Sequence, residues 1–237
     1  MDGARGHSEG HFGVNGLKVL ITSGGTREPI DGVRVITNSS TGATGATIAD
    51  VFARDGAEVF LVCAESALKP TESSVVQHTF VTANDLDTAC QKILANHDID
   101  MIVHAAAVSD FVVGSVAIDG VTHIAPLAMK LPSSAALSIH LRPGKKILPH
   151  LKGYSRHRAV RLVGFKLTDG ASEVEVQRAI QSVLTSGADW VVHNDLQTIN
   201  THRASVWASD GSVVQCSSLD HLARHLVRLG DDARQPS

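Results

Sequence analysis

The sequence predicts an α/β protein: a doubly wound, mostly parallel sheet with helices on both faces and one long flap. Three observations carry that expectation. Short continuous apolar runs alternate with stretches of helical period, the pattern of strands buried on both faces and joined by crossover helices. The first run, "LKVLIT", opens into a glycine-bearing loop, "SGGTREPID", at residues 23–31. Residues 108 to about 134 carry Gly and Pro without a helical period and read as an excursion beside the strand ends.

Each element follows in order. "LKVLIT" (17–22) is a strand, "ATGATIADVFARDG" (43–56) a helix ended by Gly, and "AEVFLVC" (57–63) a second strand. "VVQHTFV" (75–81) and "DMIVHAAA" (100–107) are strands around a helix from Ala83 to Asn96, which carries Asp85 and Asp87 in its first turn. Beyond the excursion, "AALSIHL" (135–141), "RLVGFKL" (161–167) and "DWVVHNDL" (189–196) return to strand character, with a helix over Ser172 to Ser186 before the last. "RASVWAS" and the helix "LDHLARHLVRL" close a Rossmann-like fold. Residues 1–16, with five Gly, read as a disordered leader, 17–229 as a single domain and 230–237 as a loose tail.

Composition narrows the functional classes. Of 237 residues, 43% are hydrophobic and 19% charged, which suits a globular core. The formal net charge of −3 offers no general attraction to nucleic acid or anionic lipid, so an anionic ligand must be held by a local site. No apolar stretch approaches the roughly 20 residues that span a bilayer. Cys63, Cys90 and Cys216 lie far apart without a CxxC spacing, which indicates neither a disulfide framework nor a zinc site and fits a reducing cytoplasm. His221 and His225, four apart on a helix with no acidic third ligand nearby, read as a helix surface.

Chemistry concentrates at the strand ends. "ITSGG", "VHAAA" and "VGF" put small residues at the carboxyl edge of a parallel sheet, where backbone can approach a ligand. In "NSSTGATGATIA", Asn38, Ser39, Ser40, Thr41 and Gly42 gather N–H groups and hydroxyls at the positive end of a helix, a setting for phosphate or carboxylate. The same glycines, Gly24, Gly25, Gly42 and Gly45, would also serve turns and a cap, and the residues alone leave both readings open. The spacing fits neither GxGxxG nor a Walker A loop.

The motifs "SGGTREPIDGVRVITNSSTG", "HAAAVSDF", the Lys of "MKLPSS", "VGFKL" and "NDL", taken in order, resemble phosphopantothenoylcysteine synthetase over Leu17 to Leu229. "ALKP", "VGFKL", "NDL" and "HRA" are similar to its standalone bacterial form. The resemblance implies a homodimer that joins 4′-phosphopantothenate to L-cysteine through an acyl-nucleotide, using CTP in preference to ATP as the nucleoside triphosphate, with Mg²⁺, and a separate decarboxylase as a further partner. It implies catalytic roles for Asn38, which would steady the acyl oxygen, and for Lys130, which would neutralise the α-phosphate beneath a closing flap. It assigns nucleotide contact to Gly24, Gly25, Ser40, Gly42, Ala106, Ala107, Asp110 and Phe165, and links Arg27, Arg34, Asn194 and Asp195 to substrate or to the dimer partner; metal ligands stay unassigned.

Some residues depart from the family's pattern. Ala43 and Thr44 stand after "STG" where relatives often have a longer or basic residue, "KLPSS" replaces the commoner Lys-Ile-Ser-Ser or Lys-Ile-Lys-Lys, and the helix over 172–186 offers only Arg178, with Ser182 and Ser186 where the fused bacterial enzymes carry lysines. Lys145 and Lys146 would supply the missing charge or form a solvated pair. Two other readings are an NAD(P)-dependent oxidoreductase, against which stand the missing GxGxxG and the missing Tyr-x-x-x-Lys pair, and a nucleotide-binding relative without turnover.

Overall fold

The computed structural model describes residues 14–131 and 136–232. In chain order the elements are β1 (Lys18–Ser23), β2 (Arg27–Pro29), β3 (Val35–Thr37), α1 (Ala43–Arg54), β4 (Glu58–Ala64), β5 (Val76–Phe80), α2 (Ala83–Asn96), β6 (Met101–His104), β7 (Phe111–Ile118), β8 (Val121–Ile124) and β9 (Leu137–Pro143). They continue as a 3₁₀ turn at Leu148–His150, α3 (Leu151–Tyr154), β10 (Arg161–Thr168), α4 (Glu173–Thr185), β11 (Trp190–Asp195), β12 (Ala204–Ala208), β13 (Val213–Cys216) and α5 (Leu219–Asp232).

Eight strands form the central sheet in the order β13-β12-β11-β10-β6-β1-β4-β5. The six from β5 to β11 run parallel, and β12 and β13 add an antiparallel edge. From β1 the chain steps outward through β4 to β5; from β6 it steps the other way through β10 to β11. The order therefore reverses between β1 and β6, and the crevice at their carboxyl ends is where such sheets take ligands.

Val19, Leu20, Ile21 and Thr22 of β1 are all fully buried, as a central strand covered on both faces requires. α1 packs on α5, and Gly230 of α5 comes so close to Leu17, Met101 and Phe52 that a Cβ would stand 2.9 Å from Leu17. The opposite face is covered by α2, α3 and α4; the space beside Gly164 is filled by Val183 of α4 and Leu148 before α3. Each core aliphatic contributes about 2 kcal/mol by leaving water. α2 and α4 begin with reciprocal capping boxes, Thr82 with Asp85 and Ser172 with Glu175. α1 begins at left-handed Gly42, which offers no side-chain cap, and its first N–H, of Ala43, reaches Thr41 Oγ1 at 3.4 Å.

Several expectations change. The loop after β1 contains a hairpin, β2 with β3, closed by Asp31, whose Oδ1 accepts the N–H groups of Val33 and Arg34. The excursion is a three-stranded antiparallel sheet, β8-β7-β9, over a small core of Ile30, Val113, Val116, Leu127 and Leu131. "AALSIHL", expected beside the main strands, supplies β9 of that flap sheet; its alternating pattern satisfies either sheet, and only the pairing with β7 decides. β13, absent from the sequence reading, pairs with β12. Val14, within the segment read as leader, is buried in the core, and α5 carries the chain to Asp232, past the start of the segment read as tail. Residues 1–13, 132–135 and 233–237 lie outside the described residues, and with them most of the leader, most of the tail and the "PSS" of "KLPSS".

Candidate functional site

The crevice between β1 and β6 is closed at its floor by backbone. Ala107 N–H donates to Gly24 C=O at 2.8 Å and Thr26 N–H to Ala107 C=O at 3.1 Å, so the two predicted loops are stitched together. Gly24 has φ 86°, and a Cβ there would lie 2.7 Å from the Ala64 methyl. At Gly25 a Cβ would lie 2.5 Å from the carbonyl oxygen of Asn38, which is what brings the hairpin's end against the β1 loop. Ser23 Oγ donates to Gly42 C=O at 2.8 Å and fixes the start of α1 beside the same loop.

Asn38 stands exposed just past β3, and its Nδ2 donates to Val108 C=O at 3.1 Å. That bond uses one of two amide protons and orients the other, along with Oδ1. Ala106 and Ala107 are half-buried below it, Asp110 is exposed, and Ser40 is exposed ahead of α1. Gly24, Gly25, Ser40, Gly42, Asn38, Ala106 and Ala107 therefore belong to one edge of the sheet. Phe165 lies half-buried on β10, the next strand, packed against the core.

Beneath this floor is a pair that the sequence reading missed. Thr22 Oγ1 accepts Ala106 N–H at 3.1 Å and is bonded to His104 Nδ1 at 2.9 Å. Burial pushes the His104 imidazolium down to about 4, so the ring is neutral at physiological pH. A Thr and a His inside apolar strands give no period signal, which is why neither stood out.

Lys130 is exposed on the flap. Its neighbour is pinned: Leu131 N–H donates to Asp31 Oδ2 at 2.9 Å, and the Arg34 guanidinium reaches Leu131 C=O at 3.4 Å. Leu127 N–H donates to Ile30 C=O at 2.9 Å. The flap loop carrying Lys130 and the hairpin leading to Asn38 are thus one unit. Arg34 pairs with Asp31 at 2.6 Å, the local alternative to phosphate binding, while Glu28 holds Ala83 N–H at the start of α2 and Arg27 is exposed. The Leu131 N–H, followed by those of Val33 and Arg34 and by the Arg34 guanidinium, holds the Asp31 carboxyl far below the usual carboxylate range.

Other charges are committed elsewhere. Lys146 pairs with Asp110, and Lys145 donates to Asp87 at 2.6 Å and to Tyr154 at 2.8 Å, so neither is a free cation for a phosphate. Asp195 accepts from Thr168 Oγ1 and from the N–H groups of Gly170, Ala171 and Gln197, and its carboxyl is held at about 2, chiefly by the Thr168 hydroxyl. It closes its own loop; half-buried Asn194 beside it lies on β11 opposite Leu167. A cavity of about 440 Å³ lies on the α2 side of the hairpin, lined by Glu28, Thr82, Asp87, Val113, Arg142 and Lys145; neither Asn38 nor Lys130 borders it. Among the described residues no three His, Cys, Asp or Glu could cage a metal, and no helix is long and apolar enough to cross a membrane.

Arg203 is the middle residue of "HRA", and nothing in the sequence marks it as a site residue. It precedes β12 and its Nη2 donates to Thr44 Oγ1 in the first turn of α1 at 2.6 Å. Exposed Arg178 of α4 shows no such contact.

Known proteins share this architecture. The coenzyme A biosynthesis bifunctional protein CoaBC of Thermococcus kodakarensis is 34% identical over 194 residues, covering 81% of this chain and 45% of that protein, so the chain spans less than half of that relative. The DNA/pantothenate metabolism flavoprotein from Streptococcus pneumoniae superposes with a TM-score of 0.79 at 26% identity, covering 91% of this chain and 99% of that one. A Cab2 variant solved in complex with phosphopantothenate-cysteine has a TM-score of 0.71 at 21% identity, covering 92% and 87% of the two chains, a likeness of fold. Residues 14–229 match the family of the DNA/pantothenate metabolism flavoprotein C-terminal domain, and the chain belongs to that family.

Proposed function

We propose that this chain joins 4′-phosphopantothenate to L-cysteine, the ligation step of coenzyme A biosynthesis, through an acyl-nucleotide, and that CTP is the preferred nucleotide. The observation that carries the reading is the convergence of the Asn38 amide, the stitched 24–26 and 106–108 loops and the uncapped start of α1 at one switch point. The family match and the Cab2 complex with phosphopantothenate-cysteine support the substrate class.

The chemistry needs two charge-stabilising steps. The pantothenate carboxylate attacks the α-phosphorus of the nucleotide and pyrophosphate leaves. The cysteine amine then attacks the acyl carbon, loses a proton, and expels the nucleoside monophosphate. Lys130, extending from the anchored flap, neutralises the α-phosphate in the first step, and the Asn38 N–H left free by Val108 donates to the acyl oxygen in the second. The stitched backbone restricts both partners to a reactive geometry. Mg²⁺ finds no cage of side chains among the described residues, so we assign it to the nucleotide phosphates with its waters.

A homodimer completes the proposal. Leu137, Ile139 and Leu141 alternate along β9, an edge strand of the flap sheet, and all three are exposed. Such an edge with an apolar face suits pairing with a second copy.

The test is pyrophosphate release with 4′-phosphopantothenate, Mg²⁺ and either CTP or ATP, with and without L-cysteine, and mass spectrometry of the acyl-nucleotide. An acyl-nucleotide that cysteine converts to product establishes the ligase. Saturable nucleotide binding without pyrophosphate release overturns it in favour of a binding-only relative.

A further inference from the structure

Arg203 is out of balance with its surroundings. Its Nε is buried and has no hydrogen-bond partner, the one side-chain nitrogen or oxygen of that kind among the described residues. Its single described hydrogen bond, from Nη2, goes to a neutral hydroxyl, Thr44 Oγ1. Burial draws its pKa down and no neighbouring charge acts in the other direction. A guanidinium has five donors in a planar fork and stays charged in proteins, so a partly desolvated one with a bare Nε–H carries a standing cost. Such a group calls for an anion.

Its position says which anion. Thr44 lies in the first turn of α1, two residues past Gly42, whose carbonyl is held by Ser23 at the end of β1. The start of α1 has no side-chain cap at Gly42, its Ala43 N–H reaches Thr41 Oγ1 at 3.4 Å, and Thr44 Oγ1 is the group of that turn that meets the guanidinium. Arg203 itself comes from the far wing of the sheet: it precedes β12, four strands from β1, and the loop before β12 carries it back to the crevice. Arg34, Lys145 and Lys146 are each paired with a carboxylate.

We propose that Arg203 is a phosphate-anchoring residue of this site, binding a phosphoryl group of the ligand against Thr44 and the first turn of α1. The planar fork engages two phosphate oxygens at once, which fixes the phosphate's orientation as well as its charge. The inference rests on the ligase reading for the ligand's identity. The phosphoryl group has two sources of the same chemistry, the nucleotide's polyphosphate and the 4′-phosphate of phosphopantothenate, and the experiment separates them.

The full chain and its Arg203→Gln and Arg203→Lys variants are titrated calorimetrically with CTP, ATP, cytidine, 4′-phosphopantothenate and pantothenate, each alone. Arg203→Gln is expected to weaken one class of phosphate-bearing probe by about 10- to 100-fold, the worth of a charge-assisted hydrogen bond, with its phosphate-free counterpart unchanged. Arg203→Lys should recover part of that loss, which a purely structural role would not produce. Loss confined to CTP and ATP assigns the polyphosphate; loss confined to 4′-phosphopantothenate assigns the 4′-phosphate. Should Arg203→Gln not fold, Arg203→Met carries the same titrations. If the variants bind every phosphate-bearing probe as the unaltered chain does, the proposal is overturned while the ligase reading stands. If the unaltered chain binds none of these probes, both fall.

Discussion

Asp31 Oδ2 accepts the Leu131 N–H at 2.9 Å across 100 residues of sequence, so the hairpin that leads to Asn38 also holds the chain one residue beyond Lys130. A single buried carboxylate thereby sets the relation between two proposed catalytic side chains. Asp31→Ala is expected to lower turnover on the order of 10²-fold, as misplacement of a reacting group by about 1 Å does, with nucleotide binding less affected. Because the folded carboxyl titrates far below its usual 3.8, this anchor contributes above that pH and is lost only as pH falls through the lower folded value. Turnover of the unaltered chain should therefore show no acid limb near pH 4 arising from Asp31, checked by the pH dependence of kcat against the Asp31→Ala variant.

Asn38 and Lys130 should separate the two half-reactions. Lys130→Gln is expected to abolish pyrophosphate release, because the α-phosphate charge has no partner. Asn38→Asp should keep nucleotidyl transfer and slow the amine step by about 10²–10³, the worth of one preorganised oxyanion donor. Equal loss of both steps in Asn38→Asp would remove its assigned role.

His104 predicts a pH effect on stability. Its folded pKa, about 4, lies below the unfolded value of 6.5, so the unfolded chain binds the extra proton first. Stability is full above pH 6.5 and declines as pH falls toward 4, by an amount on the order of 3 kcal/mol. His104→Gln should flatten that slope in urea melts taken between those pH values. A parallel slope in the variant would show that other groups cause it.

Gly25 and Gly32 make a matched pair. Gly25→Ala places a methyl 2.5 Å from a backbone carbonyl, whereas a Cβ at Gly32 meets nothing within 4 Å. Gly25→Ala is expected to cost about 1–3 kcal/mol of stability and most of the activity by moving Asn38, and Gly32→Ala to change either by less than about 0.5 kcal/mol. Chemical denaturation and the product assay read both.

Ile139→Glu should leave a folded monomer if β9 is the dimer edge, since burying a charge in a paired apolar face is prohibitive. Light scattering after gel filtration reads the mass, and circular dichroism the fold. A dimer that persists unchanged moves the interface elsewhere.

Much of the frame was legible. The apolar runs of β1, β4, β6, β10 and β11 are continuous because a central parallel sheet buries both faces, and the glycine-bearing loop after β1 marks its own carboxyl edge. Asp85 in the first turn announced the start of α2, whose bounds, Ala83 and Asn96, coincide with those expected. The hairpin inside "REPIDGVRVIT" was hidden because its strands are three residues each, too short for a period to show. β9 reads as a strand of any sheet, and Lys145 and Lys146 read as available charge until their carboxylate partners are seen.

The sequence by itself determined the order of the central parallel strands and of the longer helices between them, the loops at the carboxyl edge and the motif that marks the family. These are local properties: side-chain period, capping and glycine's backbone freedom act within a few residues. The tertiary structure alone decided that Leu131 rests on Asp31, that Ala106 hangs from Thr22 and His104, and that Arg203 meets Thr44 across 159 residues. Such partners are selected by the closing of the whole sheet, which brings distant groups within hydrogen-bond reach and removes the water that would otherwise satisfy them.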